Sequence, residues 1–357
     1  MERFEPEALR ATAAALLIKA GLPADQAGAT ADGLLRADLR GVSTHGVSNM
    51  LRLYLDWLRT GKVNPRPDMR VVWSRGALCA IDSDNALGLA ILPGIVDDVI
   101  ERAKVHGIAA ASVSRGRHAG MMAHHALRIA EAGMIGIALT ATSARVVPTF
   151  GREPRLGTNP IAVAAPMQGE RYLCFDAATS MVAGNRVTNA LRTGAPITRA
   201  AVVENDGTVN ATPIPPSEHY LRRLAPVGGL VDEASHKGYG LAVFVELLCG
   251  TLLDDGGLPG RDAGGATHFV AAIAPPEHGG EPSFIANVTR LADYLNATPP
   301  AVDRDRVFYP GEMEAEEEVR RRRDGIPLHE EVVSWLRGAC ASAGIPMPAS
   351  RASGAAA

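Results

Sequence analysis

The first sixty residues place apolar side chains at helical spacing. "EPEALRATAAALLIKAG", "ADQAGATADGLLRADLRG" and "SNMLRLYLDWLRTG" are rich in Ala, Leu and Arg, and each stops at a glycine, the residue that most readily ends a helix. They predict a helical unit. After "KVNPRP" the period changes: "MRVVWS", "ALCAID", "IAAASVS", "MIGIALTAT", "NPIAVAAP" and "AAVVEND" are short apolar runs bounded by Gly, Pro, Asn or Asp, as strands are. Helical patterns lie between some of them, in "ILPGIVDDVIERAKVHG" and "GMMAHHALRIAEAG". Further on, "HKGYGLAVFVELLCGTLL" reads as a buried helix behind a glycine-rich start, "HFVAAIAP" as a strand, and "EEEVRRRRDGIPLHEEVVSWLRGACASAG" as helix again. The fold class is therefore α/β (α+β). Residues 1–72 and 300–357 are expected to form a mainly helical domain, and residues 73–299 a mixed α/β domain. From Glu316 to Arg323, acidic residues precede basic ones by four positions, which supports an exposed, solvated helix face. The small-residue tail "MPASRASGAAA" is expected to fray.

Composition narrows the function. A chain of 357 residues, 46% hydrophobic, can bury a sizeable core. Its net charge of -3 supplies no basic field for a phosphate backbone, so nucleic acid is not the expected partner and a small molecule is. Cys79, Cys174, Cys249 and Cys340 are far apart and form no Cys-x-x-Cys pair, which suits buried thiols in a reducing compartment and predicts a cytoplasmic protein. Glu2, Glu5 and Glu7 precede the first apolar stretch, and "LAVFVELLCGTLL" contains Glu246; neither reads as a signal peptide or membrane span.

Candidate chemistry lies in four places. No strand is followed by Gly-x-Gly-x-x-Gly; the nearest miss is "GYGLAV", with Val243 where a third glycine would stand, so an ordinary Rossmann unit is disfavoured. Lys237 beside that helix start combines a cation with free N–H groups, a workable phosphate position, although a plain surface lysine reads the same. In "DLRGVSTHGVSN", Gly41 ends one helix and Thr44 or Ser48 is expected to cap the next. His45 then sits near a positive helix end, where its neutral form is favoured and it can pass a proton near neutral pH. The same helix end can accept a substrate carboxylate, with Arg52 as a clamp. A loop histidine satisfied by its neighbours is the alternative. His118 follows a strand and precedes the helix that holds His124 and His125, a spacing without the His-x3-His of zinc sites. The turn Gly157, Thr158, Asn159, Pro160 offers backbone amides and two polar side chains to a ligand.

Taken in order, "DLRGVSTHGVSN", "SRGRHAG", "GTNPIAVAAP", "FDAATS", "HKGYGLA" and "VFYPGEME" resemble the type 2 malate/L-lactate dehydrogenase family. The resemblance implies a non-Rossmann dehydrogenase fold, NAD or NADP as cofactor, and interconversion of a ketone or imine beside a carboxylate with the alcohol or amine. It also implies a homodimer in which two protomers build each site. It places His45 and His118 at the catalytic centre, with His118 matching a proton acceptor. Thr44, Asn49 and Arg52 fall at substrate-binding positions, and Ser143, Asp176, Ala177, Ala178 and Lys237 at cofactor-binding ones, with Thr158, Asn159, Pro310, Gly311 and Glu312 close by. The chain departs from the pattern where many relatives carry an arginine four residues after the first histidine and a tyrosine eight after it. Here those residues are Asn49 and Leu53, leaving Arg52 and Tyr54 as displaced substitutes, and Phe150 stands where relatives often have glycine. The expected reaction is hydride transfer between nicotinamide and C2 of a small 2-oxo or 2-hydroxy acid. A cyclic imino-acid reductase, a metal-dependent hydrolase and a non-catalytic dinucleotide-binding protein are the alternatives.

Overall fold

The computed structural model describes residues 1–253, 265–276 and 283–351. In chain order the elements begin β1 (Glu2–Phe4), α1 (Pro6–Lys19), α2 (Ala24–Leu39), α3 (Arg52–Arg59), β2 (Arg70–Arg75), β3 (Leu78–Asp82), α4 (Gly88–His106) and β4 (Ile108–Gly116). They continue α5 (Met122–Glu131), β5 (Ile135–Thr142), β6 (Ile161–Met167), β7 (Arg171–Ala177), α6 (Gly184–Thr193), α7 (Ser235–Glu246) and β8 (Ala266–Ile273). The last are α8 (Phe284–Asn296), α9 (Glu312–Asp324), β9 (Ile326–Leu328), α10 (Glu330–Ala343) and β10 (Ser350–Arg351).

The central sheet has seven strands in the order β2-β3-β4-β8-β5-β6-β7. Only the β3–β4 pair is parallel, joined through α4, and the other neighbours run antiparallel. A mostly antiparallel sheet has none of the repeated parallel crossovers of a dinucleotide fold, in keeping with the missing glycine fingerprint. Its middle strands are lined with small residues, including Ala109, Ala111, Ala138, Ala162 and Ala272, all buried. These let α4 and α5 lie close to the sheet; at Gly136 a Cβ would strike the Ala126 carbonyl of α5. A smaller sheet, β10-β1-β9, ties residues near the two ends of the chain together, and one continuous apolar cluster joins Phe4, Leu9, Leu34, Leu92, Val113, Ile326 and Leu336.

The α/β reading holds, with local corrections. "AAVVEND" is not a strand: Val202 and Val203 make isolated bridges to Leu224 and Val209. α7 is not a fully buried helix, because Ala242 and Val245 are buried whereas Leu241, Phe244 and the following Leu247 are exposed. The C-terminal helical stretch contains β9 between α9 and α10. On α9 the Glu318–Arg322 pair forms, but that helix is not wholly solvated, since Arg321 donates to the Asp38 carbonyl at 2.6 Å. Residues 352–357 of the tail lie outside the described residues. Among the described residues no helix is long and apolar enough to cross a membrane.

Candidate active site

The His45 loop hangs on a buried carboxylate. After α2 the chain turns through Gly41 at φ 79°, and Asp38 Oδ2 accepts the Val47 N–H at 2.7 Å. Asp38, not Thr44 or Ser48 as expected, thus satisfies the amide that begins the next helix. Burial pushes the Asp38 carboxyl up to about 7, against the Val47 hydrogen bond and the Arg321 charge, which lower it. Gly46 is needed for closeness: a Cβ there would collide with the Asp38 carboxylate. Thr44 Oγ1 lies 3.0 Å from His45 Nδ1 instead.

One turn of π-helix, Val47–Leu51, precedes α3. Such a turn accommodates an extra residue and advances the side chains after it around the axis. Tyr54 is thereby carried into the core, fully buried, with its hydroxyl 2.6 Å from His118 Nδ1.

His118 is fixed from behind. His268, which no motif marks inside its apolar strand, places Nε2 3.0 Å from the Arg117 carbonyl and Nδ1 2.8 Å from Thr140 Oγ1. A Cβ at Gly88 or Gly116 would come within 2.7 Å of the His268 ring. Those glycines make room for it. The Gly120 N–H donates to His118 Nδ1 at 3.2 Å. Across the gap His45 stacks on His118 with ring centroids 5.4 Å apart and planes 12° from parallel, and both rings are half-buried, with some surface accessible. Burial lowers His45 to about 4. His118 is held well below the usual imidazole range, first by burial and then by the fields of His45, His268 and Arg145. Both rings are therefore neutral near pH 7.

The other substrate-binding candidates divide. Asn49 Nδ2 donates to the Ser43 carbonyl at 2.7 Å and its Oδ1 accepts from Arg192 at 3.3 Å; it braces the loop. Asn185 of α6 donates to the Thr44 carbonyl at 2.7 Å, which brings α6 against the same loop. Arg52 is exposed and makes no hydrogen bond or ion pair among the described residues, so the geometry does not assemble the expected clamp.

The cofactor candidates divide as well. Ser143 is buried at the end of β5, next to Thr142, whose buried Oγ1 has no partner among the described residues. Thr158 lends its carbonyl to Thr179 at 2.9 Å. Asn159 does not present its side chain to a ligand as expected: it is fully buried, accepts from the Thr142 N–H at 3.1 Å and donates to Ala242 O and Glu246 at 3.1 and 3.0 Å. Asp176 is accessible, with Oδ2 anchored on the Ala123 N–H at 2.7 Å, and Ala177 and Ala178 follow it partly exposed. Lys237 stands exposed in the first turn of α7 with no ion pair among the described residues. Pro310 accepts from the Cys174 N–H at 2.9 Å, Gly311 abuts Cys174 at φ 91°, and Glu312 accepts from Arg306 and Tyr309 at 3.0 and 3.2 Å. That segment docks along β7 with its carboxylate already engaged. A buried hydroxyl without a partner among the described residues, a buried serine and an exposed lysine at a helix start are donors of the kind that fit a dinucleotide. Among the described residues no three His, Cys, Asp or Glu side chains cluster as metal ligands.

Comparison with known proteins identifies the family. A family model described as Malate/L-lactate dehydrogenase matches residues 4–337. The malate dehydrogenase of Pyrococcus abyssi is 30% identical over 331 residues, covering 90% of this chain and 89% of its own. The L-lactate dehydrogenase of Cupriavidus necator is 34% identical over 302 residues, covering 82% and 84%. Among solved structures, malate dehydrogenase from Entamoeba histolytica superimposes with a TM-score of 0.91 at 28% identity, covering 97% of this chain and 99% of that one.

Proposed function

Because the chain belongs to the malate/L-lactate dehydrogenase family, whose members are oxidoreductases of hydroxyacids, we propose that His118 exchanges the proton at C2 of a small 2-hydroxy or 2-oxo acid. The observation that carries this reading is the placement of the His118 ring. Nδ1 is held by Tyr54 Oη and the Gly120 N–H, which leaves Nε2 as the nitrogen free to meet a substrate oxygen. In the oxidation direction the ring enters as the Nδ1–H tautomer, donating to Tyr54 Oη in place of the Gly120 contact, and its bare Nε2 takes the hydroxyl proton. When Nδ1 is bare, the same hydroxyl donates to it. A phenol can do both, so Tyr54 lets the ring change tautomer without moving. Its own proton stays on, because burial raises its pKa.

A nicotinamide cofactor, NAD or NADP, bound beside the histidines supplies the hydride acceptor or donor that no side chain provides. Ser143, Thr158, the backbone of Asp176, Ala177 and Ala178, and Lys237 are the residues that would hold it, with the segment Pro310, Gly311 and Glu312 as wall beside them. Asn159 acts there by shaping the turn. We read the substrate as a carboxylate held near Thr44 and Asn49. The exposed apolar face of α7, including Leu241, Phe244 and Leu247, supports a homodimer, and four free, buried cysteines support a reducing cytoplasm. The helical N- and C-terminal segments, 1–72 and 300–357, are read as one domain around the α/β domain of 73–299.

The test is titration with NADH and NADPH followed by turnover of a panel of lactate, malate, pyruvate, oxaloacetate and cyclic imino acids. Binding of one cofactor with turnover of a 2-hydroxy or 2-oxo acid is expected. Turnover confined to cyclic imines would reassign the substrate, and binding without any turnover would favour a non-catalytic role.

A further inference from the structure

Arg145 is a half-buried cation without an anion. Its guanidinium has no carboxylate partner among the described residues, and its one side-chain hydrogen bond goes to the Leu221 carbonyl at 3.3 Å. Loss of solvent disfavours its charge, and the like charge of Arg222 adds to that. A cation kept in this state is destabilising unless something anionic joins it.

Its position says what that anion is. Nη1 lies against Gly184, where a Cβ would approach to 3.1 Å. The next residue, Asn185, donates to the Thr44 carbonyl at 2.7 Å, and Thr44 bonds His45, which stacks on His118. Arg52, the residue expected to supply a charge beside His45, is exposed, and Asn49, which stands where relatives carry an arginine, is neutral and engaged in bracing its loop. We propose that Arg145 is the residue that clamps the carboxylate of the substrate, and so restricts this enzyme to acids ionised next to the reacting carbon. The inference rests on the dehydrogenase reading above. A planar guanidinium with most of its donors unused pairs with a carboxylate through two parallel bonds. Such a pair would fix C2 relative to His118 and exclude amides and esters of the same shape. It also acts on the base, since a carboxylate at Arg145 offsets one of the positive fields on His118 and makes that ring a stronger proton acceptor once substrate is bound.

The experiment is steady-state kinetics of the full-length wild type, Arg145→Met and Arg145→Lys with the best acid from the panel and with its carboxamide. The methionine variant is expected to raise KM for the acid about a hundredfold, with a smaller loss in kcat. Its preference for acid over amide should collapse while the cofactor dissociation constant stays put, and the lysine variant should recover part of the preference. The methionine variant's acid limb in kcat/KM for the amide should move up towards the ordinary histidine value. An unchanged KM and unchanged acid-over-amide preference in Arg145→Met would overturn the assignment. Should that variant fail to fold, as judged by thermal unfolding and cofactor binding, Arg145→Gln faces the same criterion. A wild type that binds neither cofactor and turns over no acid brings down the dehydrogenase reading itself. An active wild type with an indifferent Arg145 brings down only the clamp.

Discussion

Around His118 polar atoms face one another across an accessible gap, whereas at Asn159 and Glu312 they are spent inside the protein. His118 has Nδ1 engaged and Nε2 available. Asn159 has its oxygen and both its N–H directions committed to Thr142, Ala242 and Glu246. The two kinds of residue look alike in a motif, since each is polar and follows a glycine within two residues. What separates them is whether the fold has already satisfied the side chain. A satisfied group builds the wall of a site, and one with a free valence does its chemistry.

Substitutions can break that contrast. His118→Ala should lower turnover roughly a thousandfold with little change in melting temperature or cofactor affinity; near-normal turnover in stopped-flow assays would remove it from proton transfer. Asn159→Leu should do the reverse, costing about 2–4 kcal/mol of stability in a denaturant melt because it strands buried partners. If it instead left stability intact and abolished cofactor binding, Asn159 would belong with the ligand-facing residues. Lys237→Ala should weaken cofactor binding about tenfold by losing one charge-assisted contact, and an unchanged dissociation constant counts against a phosphate there. In the pH dependence, the base must be neutral to accept a proton and its pKa is depressed. Hence kcat/KM for oxidation should stay level as pH falls through 6.5 and decline only well below it; a limb at 6.5 would mean an ordinary, solvated imidazole. The smallest effect expected is at Phe150, 87% exposed and held at φ 67°. Phe150→Gly should raise stability by about 1 kcal/mol in calorimetry, and a loss of activity would show that the ring is kept for function.

The sequence displayed the helices and most central strands because their periods are long enough to read, and it displayed His45 and His118 of the candidate site through the glycines beside them. Tyr54 was legible only as a misplaced residue. A single π turn moved it, and one extra residue inside a helical pattern leaves no mark on its period. Asp38 went unread as a cap because it acts on Val47 from the previous helix. His268 was hidden for a similar reason: within an apolar strand nothing signals that its ring reaches the Arg117 carbonyl, 151 positions earlier. β1, β9 and β10 span only two or three residues each, too few for alternation to show. α7 misled in the opposite way, since a helix apolar on all sides reads the same whether a core or another surface covers it.

The link from Arg321 to the Asp38 carbonyl also sets a timetable. Residues 38–46 leave the ribosome early, but the guanidinium that braces them is made almost 300 residues later, and β1 must wait longer still for β9 and β10. At about 5–20 residues per second, the His45 loop spends tens of seconds without its support. The brace arrives only with the C-terminal residues that also complete the core, Ile326 and Leu336 among them, so a half-made chain lacks the support of the His45 loop.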